Sequence, residues 1–138
     1  MRRFSPDEAT GMIPRLERDL ARIKHLIRLA REKSREKEMI KAVGYREDGS
    51  LIMLADYREA QARLDDSVRE LNSIIEEIHR EGAQIKDLER GLVDFPAIIH
   101  GQDVLLCWEL GESAVMYYHD HAAGYMGRKP IPDDWRLE

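Results

Sequence analysis

The segment LLCWELGESAVMYYHDHAAGY, residues 105–125, decides how this chain is read. It gathers Cys107, Trp108, Glu109, Glu112, three tyrosines and the pair His119 and His121, and its apolar and polar side chains alternate with the period of a strand. The neighbouring runs AQIKDL, LVDFPAII, VLLCWEL and AVMYYHDH share that period and are separated by ERG, HGQD and GES. Links this short imply an antiparallel meander.

The turn lengths then assign each side chain to a face. A two-residue turn at His100-Gly101 sets Ile99 opposite Gln102 and Asp94 opposite Cys107. A three-residue link at Gly111-Glu112-Ser113 sets Leu110 opposite Ala114 and Cys107 opposite Tyr117. With this register one face carries Val93, Phe95, Ala97, Ile99, Val104, Leu106, Trp108, Leu110, Ala114, Met116 and Tyr118, and is apolar enough to pack on helices. The reverse face carries Leu92, Asp94, Pro96, Ile98, Leu105, Cys107, Glu109, Val115, Tyr117, His119 and His121, and holds most of the reactive groups. A two-residue link at Gly111 would scramble this segregation.

Upstream of the strands the period is close to 3.5. FSPDEA reads as a helix start, with Ser5 as cap, Pro6 in the first turn and Glu8 completing a capping box. Apolar residues follow at Ala9, Ile13, Leu16, Leu20, Ile23, Ile27 and Ala30, with a kink expected near Pro14. A second stripe runs through Tyr57, Leu64, Val68, Leu71, Ile75 and Ile78, with Asp56 and Glu59 as a capping pair and Gly82 as the stop. The expected fold class is α+β: a long antiparallel, coiled-coil-like helical hairpin followed by a small three- to four-stranded antiparallel β-meander. The expected division of a single domain over 1–138 is helix one over 5–41, a variable tip over 42–55, helix two over 56–81, the meander over 83–121 and an ordered irregular tail over 122–138. Two such helices leave much of each stripe wet, so a homodimer through the helices is expected.

The totals narrow the function classes. The 138 residues carry a net charge of −5, which argues against a generic nucleic-acid binder. With one cysteine, Cys107, no intramolecular disulfide forms and a reducing compartment is expected. No apolar run follows the arginines of MRRFSPDEAT, and no stretch reaches the ~20 apolar residues of a membrane span. The expected setting is cytoplasmic, with no membrane association.

Several residues could carry chemistry. His119 and His121 point the same way on a strand and form the H-x-H pair that could reach one metal. Asp94 lies two strands away, roughly 10 Å at the spacing of neighbouring strands, so the pair is a weak ligand set and no metal or cofactor is expected. Cys107 in an apolar strand reads as a packing residue, because no cationic neighbour is evident to activate its thiol. Asp94 needs a donor, for which Arg90 and Arg128 are candidates. Arg31, Lys33, Arg35 and Lys37 form a basic patch without accompanying aromatic groups, and such runs are usually solvated helix faces.

The runs KDLERGLVDFPA, VLLCWELGE and HD…G…GR…P, with the opening FSPDEATGMIPRL, resemble an uncharacterised prokaryotic family, the domain of unknown function 2203. The resemblance spans essentially the whole chain except Ser34 to Ala55. It marks Asp87, Gly91, Asp94, Phe95, Pro96, Trp108, Gly111, Glu112, His119, Asp120, Gly124 and Arg128 as family-type positions; His121 is outside the pattern. It implies the architecture and no activity. The expected function is a non-enzymatic, dimeric, partner-binding domain. The alternative is a small-molecule or metal-binding enzyme using the polar sheet face at Asp94, Glu109, Tyr117, His119 and Arg128, so whether the chain is an enzyme stays open.

Overall fold

The Ser5 hydroxyl accepts the Glu8 amide at 3.1 Å and the Glu8 carboxylate accepts the Ser5 amide at 2.9 Å, closing the capping box. The short helix it starts, α1 (Pro6–Gly11), ends at Met12, and α2 (Ile13–Val43) begins immediately after it. The bend expected near Pro14 is therefore a break between two helices. Pro14 falls in the first turn of α2, where its missing N–H has no partner to lose. These details come from a computed structural model that describes residues 2–137; Met1 and Glu138, the ends of the expected single domain and tail, lie outside the described residues. The remaining elements are α3 (Leu54–Arg80), β1 (Gln84–Asp87), β2 (Leu92–Ile99), β3 (Gln102–Glu109), β4 (Tyr117–His119) and β5 (Lys129–Pro130). Single 3-10 turns lie at Tyr125–Gly127 and Asp133–Leu137. Among the described residues no helix is long and apolar enough to cross a membrane.

The chain divides into two compact units. The unit built from residues 21–74 holds the outer parts of α2 and α3 and the tip that joins them. The helices run antiparallel, tied by Arg22 to Glu70 and by Lys37 to Gln61. Leu26 at 2% exposure, and not Ile27, is the buried residue after Ile23, because a straight helix of 3.6 residues per turn drifts away from a strict heptad. On α3 the small residues Ala60 and Ser67 are buried, whereas Val68 is 39% exposed. The helix starts at Leu54, so Asp56 lies in its first turn and Glu59 pairs with Arg63 at 3.6 Å instead of capping. The tip closes with a Tyr45–Leu51 bridge over a turn in which Asp48 accepts the Ser50 amide.

The other unit, residues 2–20 and 75–137, contains the sheet, a five-stranded antiparallel meander in the order β1 to β5. The fifth strand comes from the tail, one more than the expected three or four. The β2–β3 turn has positive φ at both His100 and Gly101, 48° and 77°, as a two-residue hairpin of matching twist requires. Three deduced pairs are observed, Ile99 opposite Gln102, Asp94 opposite Cys107 and Cys107 opposite Tyr117, whereas the deduced pair Leu110–Ala114 does not form. The strand pairing beyond β3 starts only at Tyr117, however. Residues 110–116 fold on themselves, with Trp108 Nε1 donating to the Glu112 carbonyl at 2.9 Å and the Glu109 amide donating to the Glu112 carboxylate at 2.7 Å.

Val93, Phe95, Ala97, Leu106 and Trp108 are fully buried, and Ala9, Leu16, Leu20 and Ile78 of the helices complete this unit's core. The Phe4 ring meets Phe95 edge-on at 5.2 Å between centroids, and the Phe4 amide donates to the Pro96 carbonyl at 2.7 Å. Gly91, at φ 71°, is crossed so closely by Leu110 that an added Cβ would sit 2.6 Å from the leucine Cβ. The reverse face is also largely buried, with Leu92, Asp94, Leu105, Cys107 and His119 all below 8% exposure; Val115, expected on that face, lies outside the strands and its amide donates to the Thr10 hydroxyl of α1.

Candidate functional site

Side chains on one face of the sheet alternate along each strand, so Asp94 on β2, Cys107 on β3 and His119 on β4 emerge together. Asp94 lies directly opposite Cys107, and His119 is diagonal to Cys107 because its own partner is Leu105. The result is a buried cluster of three different donor groups, a carboxylate, a thiol and an imidazole, whose ligand atoms all lie within 4.8 Å of one another. His119 Nε2 is 3.2 Å from Asp94 Oδ2. This corrects the expectation that the carboxylate and the histidine strand are too far apart. Their backbones are two strands apart, but the residue between them is a small cysteine, and the two longer side chains meet above it.

The tautomer of His119 follows from its other nitrogen. Nδ1 lies 2.7 Å from the Asp120 carbonyl, which can only accept, so Nδ1 carries a proton. Nε2 is then left facing the Asp94 carboxylate, where it holds either a shared proton or a lone pair directed at a cation. A backbone carbonyl on Nδ1 that frees Nε2 is the arrangement that orients metal-binding histidines. Asp120 also holds the turn that follows, its carboxylate accepting the amides of Ala122 and Ala123 at 3.0 and 2.7 Å.

Burial, and next the negative charge of Asp94, push the Cys107 thiol up to about 12. At neutral pH it is therefore a protonated donor to Asp94 and not a nucleophile. The cluster forms the floor of a cleft of about 250 Å³, with Leu92, Leu105 and Tyr125 as walls and Lys86 and His121 among its lining. Of the H-x-H pair, His119 is buried in the cluster and His121 is exposed at the lining of the same cleft.

The other expected site residues build a neighbouring structure, joined to the cluster's strand by Arg128 Nη2, which lies 3.4 Å from the Cys107 carbonyl. Arg128 Nη2 donates to both Glu112 oxygens at 2.7 and 2.8 Å. Its guanidinium stacks 4.1 Å from the Tyr117 ring centroid and 4.9 Å from that of Tyr125. Arg90 covers Tyr125 at 4.1 Å and donates to Glu109 at 3.1 Å, while the Tyr125 hydroxyl donates to Glu109 at 2.9 Å. Glu109, Tyr117 and Arg128 thus form a latch that holds the tail over the sheet. Neither Arg90 nor Arg128 is the partner of Asp94, as had been expected; that partner is His119, because both arginines are drawn to the glutamates at the β3 end.

In the helical unit, Lys33 pairs with Glu36 at 3.0 Å, and Lys37 donates to Gln61 and lies over Tyr57. Arg31 and Arg35 remain exposed beside Arg28. The residues missed as site members are Cys107 and Lys86. The register already put Cys107 with Asp94 and His119. Lys86 depends on a bulge in β1 that no local pattern announces.

The sequence model of a family described as "Uncharacterized conserved protein (DUF2203)" matches residues 2–131. No curated protein and no solved structure matches the chain.

Proposed function

The chain belongs to that uncharacterized conserved family, and we propose that it binds one transition-metal ion of the zinc class through Asp94, Cys107 and His119, as the centre of an enzyme acting on a small molecule. The observation that carries this reading is the convergence of three dissimilar ligand atoms in a buried wall with His119 Nδ1 already tied to a carbonyl. Carboxylate, thiolate and imidazole are the ligand types zinc takes, and edges of a tetrahedral zinc site measure about 3.3–3.6 Å. Modest side-chain adjustment closes a cluster spread over 4.8 Å to that size. Three protein ligands leave a fourth position toward the cleft, as catalytic zinc sites do. A metal there would polarise a bound small molecule, while Leu92, Leu105 and Tyr125 exclude water from the reacting atoms. A reduced Cys107 fits the cytoplasm as its setting. On this reading we put the enzymatic alternative ahead of the non-enzymatic one.

The test is metal analysis of full-length protein purified without a histidine tag, alongside His119→Ala. One equivalent of metal per chain, lost in the variant, is the expected result. No bound metal, together with no rise in melting temperature on adding zinc or cobalt, would overturn the reading. The thiol adds a pH signature. Because burial and Asp94 keep Cys107 protonated up to about 12, metal must expel its proton, and affinity rises with pH. Between pH 6 and 8 the dissociation constant should tighten about tenfold per pH unit for this proton alone. Cys107→Ser should remove that part of the slope.

A second reading concerns the helices. On α3, Leu64 and Leu71 are half-buried and Val68 between them is 39% exposed, a wet apolar stripe at helical spacing. A second copy packing there forms the expected homodimer. Leu20 is fully buried within its own chain, so a change there tests folding; Val68→Glu tests the interface. Light scattering should give a dimer for the natural chain and a monomer for the variant, and a monomeric natural chain removes this reading.

A further inference from the structure

Between β1 and β2 the pairing runs Gln84 to Asp94 and Ile85 to Val93, then resumes as Asp87 to Leu92. Lys86 is the extra residue of a β-bulge. Bulges re-aim side chains, and are over-represented beside active sites. Unshifted pairing would set Lys86 against Leu92, a residue of the Asp94 face, and Lys86 lines the same cleft as the cluster. His121, beyond the end of β4, lines that cleft from the opposite side of the sheet. Among the described residues neither Lys86 nor His121 enters an ion pair, although the glutamates and arginines nearby are matched to one another.

We infer that the cleft takes a small oxyanion, a carboxylate or phosphate group, gripped by Lys86 and His121 above the Asp94–Cys107–His119 centre. The inference rests on the reading of that centre for its charge balance. A divalent ion with one carboxylate, one thiolate and one neutral imidazole sums to zero, so the ammonium of Lys86 leaves the loaded cleft at plus one. A carboxylate or a singly charged phosphate coordinated at the open position restores neutrality, and a doubly charged phosphate leaves the cleft at minus one. A cleft of about 250 Å³ holds on the order of eight water volumes, which limits the ligand to roughly ten non-hydrogen atoms.

The experiment titrates full-length protein, cobalt-loaded and metal-free, with inorganic phosphate and with acetate. It follows the visible cobalt spectrum and the backbone amide shifts around Lys86 and His121. On the loaded protein one anion should saturate, and Lys86→Met should weaken it about tenfold with metal content unchanged, while Lys86→Arg retains binding. Lys86 is exposed, so the substitution leaves the fold intact. The tighter of the two anions names the group recognised. Metal uptake with anion binding absent, or equal in Lys86→Met, overturns this inference alone. Failure to take up metal overturns the reading of the centre, and the metal-free titration then decides: Lys86-dependent shifts keep the oxyanion site, and their absence removes it.

Discussion

Trp108→Ala is expected to cost about 3–5 kcal/mol of stability, the range for deleting a large aromatic side chain from a packed core. Trp108 is fully buried on the apolar face, so the substitution leaves a cavity where the helices and sheet of its unit interlock. It also removes the indole donor to the Glu112 carbonyl, the bond that holds the β3–β4 connection in its fold. A domain of this size has a total stability of roughly 5–15 kcal/mol, so the variant should populate unfolded chain at moderate urea. Urea unfolding followed by circular dichroism measures the shift. Trp108→Phe separates the two contributions, keeping most of the volume and losing the donor, and should cost clearly less. A Trp108→Ala midpoint within error of the natural chain would mean that the apolar sheet face is not the core.

Glu112→Ala is expected to cost about 3 kcal/mol, the low end for removing one partner of a buried ion pair. The Glu112 carboxylate is 20% exposed and binds both the Arg128 guanidinium, itself 13% exposed, and the Glu109 amide. Arg128 Nε is already buried without a hydrogen-bond partner, so loss of Glu112 strips most of what compensates this cation. The effect should spread to the cleft, because Arg128 stacks on Tyr125, which is one of its walls. Glu112→Ala should therefore lower the melting temperature and accelerate exchange of the metal proposed to bind at the Asp94–Cys107–His119 cluster. Glu112→Gln, which can still accept the Glu109 amide, should recover part of the stability. Unchanged metal exchange in Glu112→Ala would separate the tail latch from the cleft.

The architecture was legible because the hydrophobic period changes once, from 3.5 to 2 after Gly82, and two helical stripes separated by the Asp48-Gly49 turn precede that change. The register was legible because a two-residue turn at His100-Gly101 leaves no freedom in how β2 meets β3. The tail strand β5 was not. Lys129 and Pro130 carry no alternation of their own, and their pairing with Tyr118 and Tyr117 depends on the arginine and tyrosine stack that brings the tail back. The cluster was half legible. Parity placed Asp94, Cys107 and His119 on one face, but distances taken between backbones hid the fact that side chains across a cysteine can touch. The buried state of that face was also invisible, since what covers it is an irregular tail rich in glycine and proline.

The bond from the Phe4 amide to the Pro96 carbonyl has a consequence for how the molecule behaves among its copies. On this flank β1 stops at Gln84, opposite Asp94, leaving the outer side of β2 without a neighbouring strand. A strand residue directs its N–H and C=O to the same side, so Pro96 presents there a carbonyl that Phe4 occupies and no donor at all. A foreign strand sliding along this margin finds little to pair with beyond Ile98. The sheet is thereby blunted against edge-to-edge aggregation along the outer side of β2.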